Sequence, residues 1–269
     1  MSTVSVHPVT ERLPLRPVLN IAALVVTVAV NALANTLPLN GLTTGAVSDS
    51  FPSLVTPAGY VFSIWGLIYL LLAVFVVYGA LPAQRHNPRL GRLGYLFVLS
   101  CALNVAWLFT WHYLLIELSL PVMLGLLGTL VLIYRRLEIG RSRVSRGEAL
   151  AVRLAFSVYL GWITVATIAN VSVLLLDLGV RAGWTAPFWA LVAIAAATLI
   201  GLSVLRRRGD LAYVLVLVWA FVGIAAAQWG SEALLVLSAL AAAAYLAFET
   251  VRQRGRAASL SRSASSPPK

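Results

Sequence analysis

The chain of 269 residues is 60% hydrophobic and only 11% charged, where a soluble domain carries about 25% charged residues. That composition excludes a soluble globular enzyme, a disordered chain and a secreted disulfide scaffold, and the one cysteine, Cys101, has no partner within the chain. A net charge of +11 would point a soluble protein toward nucleic acid, but in a membrane protein excess arginine marks the cytoplasmic loops, so no nucleic-acid partner is expected.

A helix that crosses a bilayer needs about 20 apolar residues. In chain order the apolar stretches read as eight such spans, over 18–36, 58–81, 92–115, 118–137, 150–176, 186–205, 211–230 and 232–250. The expected fold class is therefore an all-α integral membrane protein with about eight transmembrane helices. Sorting the segment ends alternately by side tests this reading. Nineteen of the 20 basic residues fall on one side, from Arg12 and Arg16 through the loops holding Arg85 to Arg92 and Arg135 to Arg153, to Arg206–Arg208 and the tail. Arg181 alone falls on the other. By the positive-inside rule both termini are cytoplasmic.

The first span has a second reading. Val18 to Val30 follows two arginines as a signal-peptide core would, and Ala32-Leu33-Ala34 resembles a cleavage site. Seven or eight spans give the same arginine sorting. The apolar run to Leu37 favours a retained helix. The loop 37–57 is the longest on the outer side, and Pro57 suits a helix start. The tail 252–269 is rich in Ser, Arg and Pro and reads as a disordered basic segment. Ala193, Ala197 and Gly201 form a small-residue stripe suited to close helix contact.

Much chemistry is missing. The only lysine is Lys269, so no retinal Schiff base can form inside a span. No phosphate-binding loop, dinucleotide fingerprint or zinc motif occurs, and no catalytic or metal constellation is visible. Glu117, Glu138, Glu148, Asp177, Asp210, Glu232 and Glu249 sit near span ends. A proton-coupled pump with a mid-membrane carboxylate is disfavoured. His112, the one histidine within a span, lies near an outer end, where it is read as solvated or hydrogen-bonded; the other reading is a ligand to haem iron.

The spans carry aromatics and asparagines at helical spacing instead. Phe62, Trp65 and Tyr69 fall on one face of the second span, Asn104, Trp107 and Trp111 on one face of the third, and Trp162, Ala166 and Asn170 on one face of the fifth. Asn31 and Asn35 do likewise on the first. Buried asparagine needs a partner on a neighbouring helix. The plainer reading is interhelical packing. The functional one is a cavity walled by flat rings, suited to a planar apolar ligand.

Three of these segments resemble the TspO/MBR family, the tryptophan-rich sensory proteins related to the mitochondrial translocator protein (peripheral benzodiazepine receptor). Pro57-Ala58-Gly59-Tyr60-Val61-Phe62-Ser63-Ile64-Trp65-Gly66-Leu67-Ile68-Tyr69 is similar to its second-helix signature. Leu103-Asn104-Val105-Ala106-Trp107 is similar to the third, and Tyr159-Leu160-Gly161-Trp162 with Ala166 and Asn170 to the fifth. The resemblance covers about 18–178. It implies a TspO-like five-helix bundle over 18–178; with the spans and sidedness above, a cytoplasmic segment 1–17 precedes it and three additional helices over 179–251 depart from the family pattern. It implies a ligand of the tetrapyrrole class, such as protoporphyrin IX or haem, with sterols and benzodiazepine-type molecules as further classes and no required cofactor. It places Trp65, Trp107, Trp162, Ala166 and Asn170 around the ligand, with Phe62, Tyr69 and Asn104 in support. A homodimer in a prokaryotic plasma membrane and a sensory, regulatory or translocation role are further expectations. The sequence departs from the family where prolines before the second helix are separated, where Val158 replaces a proline, and where Trp111 and His112 replace paired phenylalanines. The alternative function is a carrier for a small apolar or amphipathic solute.

Overall fold

The computed structural model describes residues 15–37, 39–179 and 186–264. Arg12, Arg181, Trp184 and the last five residues lie outside them. Among the described residues there is no strand, and eight long helices account for the fold. These are α1 (Leu15–Thr36), α2 (Ile64–Ala80), α3 (Leu96–His112), α4 (Ile116–Arg136), α5 (Leu154–Asp177), α6 (Ala186–Arg208), α7 (Leu211–Ala227) and α8 (Ala233–Ala264). Six of the spans, α2 and α5 counted with the turns leading into them, are long and apolar enough to cross a membrane, and α3 and α7 are apolar but 17 residues long. At 1.5 Å per residue, 17 residues reach about 26 Å, at the short end of what a bilayer requires.

Local chemistry sets the boundaries. The third span starts at Leu96 rather than 92 because a short helix, Pro88–Leu93, precedes it and ends at Gly94 with φ +55°. Asn87 caps that short helix by accepting from the Arg89 amide, and Pro88 sits at its first position. α8 runs on to Ala264, whereas a disordered tail is expected from Arg252. Alanine and arginine between Val251 and Ala264 favour helix, and the prolines follow only at 267 and 268.

α1, α2, α5, α4 and α3 pack in that order into a closed ring. α7 lies against α5 from outside the ring, and α6 and α8 pack on α7 and on each other. α5 is therefore central. Every residue from Ala155 to Val165 is buried, as expected of a helix apolar on all sides. Gly161 makes the α5–α7 approach possible. A Cβ there would lie 3.1 Å from the Tyr213 carbonyl oxygen and 3.1 Å from Val216 Cβ. A polar ladder runs beside it. Asp210 caps α7 by accepting from the Tyr213 amide (3.1 Å) and also accepts from Tyr134 Oη (2.8 Å) and Ser157 Oγ (2.6 Å). One turn further, Tyr213 Oη donates to Thr164 Oγ1 at 2.8 Å. The expected stripe on α6 packs the same way, with Gly201 against Leu217 of α7 and Leu246 of α8.

The arginine-bearing loops gather at one end of the molecule. Arg16 at the start of α1 reaches Gly91 O, Arg92 pairs with Glu138 at 3.2 Å, Arg89 pairs with Glu148 at 3.4 Å, and Arg208 at the end of α6 donates to Ile139 O.

Asp210 joins α4, α5 and α7, and its removal leaves two buried hydroxyls and an amide without an acceptor. Each such loss costs about 1–3 kcal/mol. Asp210→Ala is expected to lower stability by roughly 2–4 kcal/mol, read as a clear fall in the thermal midpoint in detergent. An unchanged midpoint contradicts the role given to this carboxylate.

Candidate functional site

The end of the bundle opposite the arginines holds the aromatic faces. The chain enters α2 through a 3₁₀ turn, Gly59–Ser63, which is docked on α7. The Ala58 amide donates to Gly223 O, and Trp219 Nε1 donates to Val61 O. Gly223 is needed there, because a Cβ would collide with Val61 Cγ2 and lie 3.1 Å from Pro57 Cβ. This docking sets the register of Phe62, Trp65 and Tyr69. Phe62 and Trp65 both meet Trp162 edge-on, with ring centroids 5.9 and 6.3 Å away. Edge-to-face pairs of this kind are worth about 0.5–1.5 kcal/mol beyond their burial.

Between α2, α3 and α5 lies a cavity of about 40 Å³. Six of the eight expected site residues line it: Phe62, Trp65, Trp107, Trp162, Ala166 and Asn170. The other two lie in the layer beneath. Tyr69 stacks on Trp65 at 5.6 Å, and Asn104 bridges Asn31 Nδ2 (3.0 Å) and Tyr159 Oη (3.2 Å). Tyr159 in turn meets Trp65 edge-on at 6.1 Å. Asn104 thus positions the wall without forming it. Asn170 is held by Ser119 of α4, donating to its Oγ at 2.9 Å.

The sequence reading missed part of the lining. Trp111 stacks on Trp107 at 5.6 Å and belongs to the wall; its place one turn after Trp107 was the available signal. Val165 and Ala169 complete the α5 face. Thr44, Ser48 and Pro57 form a roof, and only tertiary packing brings them there. Thr44 and Ser48 belong to a short helix, Thr44–Asp49, capped by Thr43.

Four hydrogen bonds tie this roof down. Asn40 Nδ2 donates to His112 O at 3.1 Å, Trp111 Nε1 to Thr44 O at 3.3 Å, and the Thr44 amide to Asn35 Oδ1 at 3.4 Å. The fourth joins Thr44 Oγ1 and His112 Nε2 at 3.4 Å. His112 is completely buried, not solvated, and its Nδ1 lies 2.8 Å from Leu108 O. That contact requires the proton on Nδ1, leaving Nε2 to accept from Thr44. His112 is thus a fastener for the roof.

The cavity is electrically plain. Among the described residues no Asp, Glu, Lys or Arg lines it. Trp107 Nε1 and Trp162 Nε1 are buried without a hydrogen-bond partner, an arrangement costing about 1–3 kcal/mol for each donor. Among the described residues no group of three His, Cys, Asp or Glu could hold a metal.

A closed ring of apolar helices around a tryptophan-walled cavity defines a polytopic integral membrane protein with a pocket inside its helix bundle. The TSPO-like protein family model matches residues 17–252. The chain belongs to that family, and the match runs through α6 and α7 into α8 rather than ending with α5. No curated protein and no solved structure matches the chain.

Asn40→Gly removes one roof bond while keeping the backbone at φ +55°, which glycine adopts freely. Hydrogen–deuterium exchange of the amides in Thr44–Asp49 is expected to quicken by roughly 3- to 10-fold, with the long helices unchanged. Unchanged exchange in the short helix would show that Asn40 does not hold the roof.

Proposed function

We propose that the protein binds a planar hydrophobic ligand of the tetrapyrrole class in the tryptophan-walled cavity, in a sensory, regulatory or translocation role. The observation that carries this reading is the convergence of four indoles from three helices, Trp65, Trp107, Trp111 and Trp162, on one uncharged cavity. Flat rings offer stacking and dispersion to a flat ligand. The two unpartnered indole N–H groups favour a ligand that brings hydrogen-bond acceptors. Membership of the TSPO-like family supports the same class. The gathered arginines support a topology with both termini cytoplasmic.

The cavity as it stands, at about 40 Å³, has room for a water or two. Ligand sites enclose about 300–1,000 Å³. Binding therefore includes an opening step in which rings separate or the roof lifts.

The test is a titration of the detergent-solubilised protein with protoporphyrin IX and haem, followed by porphyrin absorption and tryptophan quenching. The wild type is expected to bind saturably, and Trp65→Ala with Trp162→Ala to weaken binding by about tenfold or more. A folded wild type without saturable binding of either probe overturns the ligand class. Undiminished binding in the double variant overturns the pocket.

A further inference from the structure

A second cavity, of about 290 Å³, opens between α5, α6 and the segment Pro52–Val55. Its rim residues Val171, Trp189 and Val192 are 37–42% exposed on the outward side of two apolar helices, the side that faces lipid. The hydroxyls of Thr167 and Ser172 in its wall donate to carbonyls of their own helix, so the α5 side is apolar.

This groove and the tryptophan pocket are linked. A void of about 20 Å³ beneath the groove shares Val55, Ile168 and Ala193 with it. The same void shares Val165 and Ala169 with the tryptophan pocket. The residues shared along this line are all aliphatic, and of them Val55, Val165 and Ile168 have side chains that can rotate. The roof on the water side, by contrast, is fastened by four hydrogen bonds through Asn40, Thr44, Trp111 and His112. Side chains that rotate against one another give way more readily than a roof whose polar groups must be unpaired.

We propose that the α5–α6 seam is a lateral doorway, through which an apolar ligand dissolved in the bilayer reaches the tryptophan pocket. The inference rests on the reading of that pocket as the ligand site. It assigns the wide groove as the antechamber, and it gives α6 a function, since α6 forms the groove's outer wall. The ligand class it adds is a membrane-partitioned molecule rather than a water-borne one.

The test uses the full chain in proteoliposomes and does not depend on porphyrin. In a Cys101→Ser background, Ala166→Cys places a thiol in the pocket wall. N-phenylmaleimide, which partitions into the bilayer, is compared with a charged, membrane-impermeant methanethiosulfonate. Both rates are normalised to a cysteine on an exposed loop. The maleimide is expected to react about tenfold faster, and Ala193→Trp or Ala196→Trp, each filling the groove, to slow it by about fivefold or more. Leu199→Trp, on the exposed face of α6, is expected to leave the rate unchanged. The doorway is overturned if neither groove variant slows the reaction, or if the impermeant reagent reacts as fast. It is also overturned if neither reagent reaches a thiol that reacts fully after denaturation. Failure of the wild type to bind porphyrin would instead overturn the ligand class and leave the labelling result standing.

Discussion

The burial of α5 on all sides from Ala155 to Val165 is the constraint on which the rest of the structure depends. A helix in the bilayer satisfies its own backbone, but its side-chain hydroxyls and amides must find partners within the protein. α5 does this on each of its faces. Asn170 meets Ser119 of α4, Tyr159 meets Asn104 of α3, and Ser157 and Thr164 meet Asp210 and Tyr213 of α7. Gly161 lets α7 approach closely enough for the last pair to form. The five-helix ring and the three following helices are therefore joined chiefly through α5. The same helix supplies Trp162, Ala166 and Asn170 to the pocket, so the packing that secures the fold also fixes the site.

The pocket shows two kinds of wall. Its floor and sides are rings held by edge-on and stacked contacts and braced from below by Asn104 and Tyr159. Its roof is a capped turn of helix fastened by four hydrogen bonds. Ring contacts are individually worth only about 0.5–1.5 kcal/mol beyond burial and can be exchanged for contacts with another flat molecule at modest cost. A closed cavity with such walls is compatible with ligand binding by replacement, the ligand taking up contacts that the rings now make with one another.

The fold was legible because the bilayer leaves a coarse record. Arginine position sorted the loops, and the same loops meet at one end through Arg16, Arg92 and Arg208. The aromatic faces were legible because helical spacing puts Trp65, Trp107 and Trp162 on definite sides of their helices. Trp111 was read on the face of Trp107 but not carried into the site. Thr44 and Ser48 had no such signal, since the segment that carries them is placed by tertiary contacts alone, and Pro57 was read only as a helix start. Asp210 was read only as a carboxylate at a span end; its burial follows from the α5–α7 approach, which spacing along one helix does not encode. The true end of α8 was obscured because arginine and serine suit both a helix and a disordered tail.

The most direct test of the account is an experimental structure of the protein in a lipid nanodisc with protoporphyrin IX. The account predicts porphyrin density between α2, α3 and α5, in contact with Trp65, Trp107 and Trp162, in a cavity enlarged severalfold. Porphyrin bound elsewhere, with these indoles packed as they are in the free protein, would contradict it.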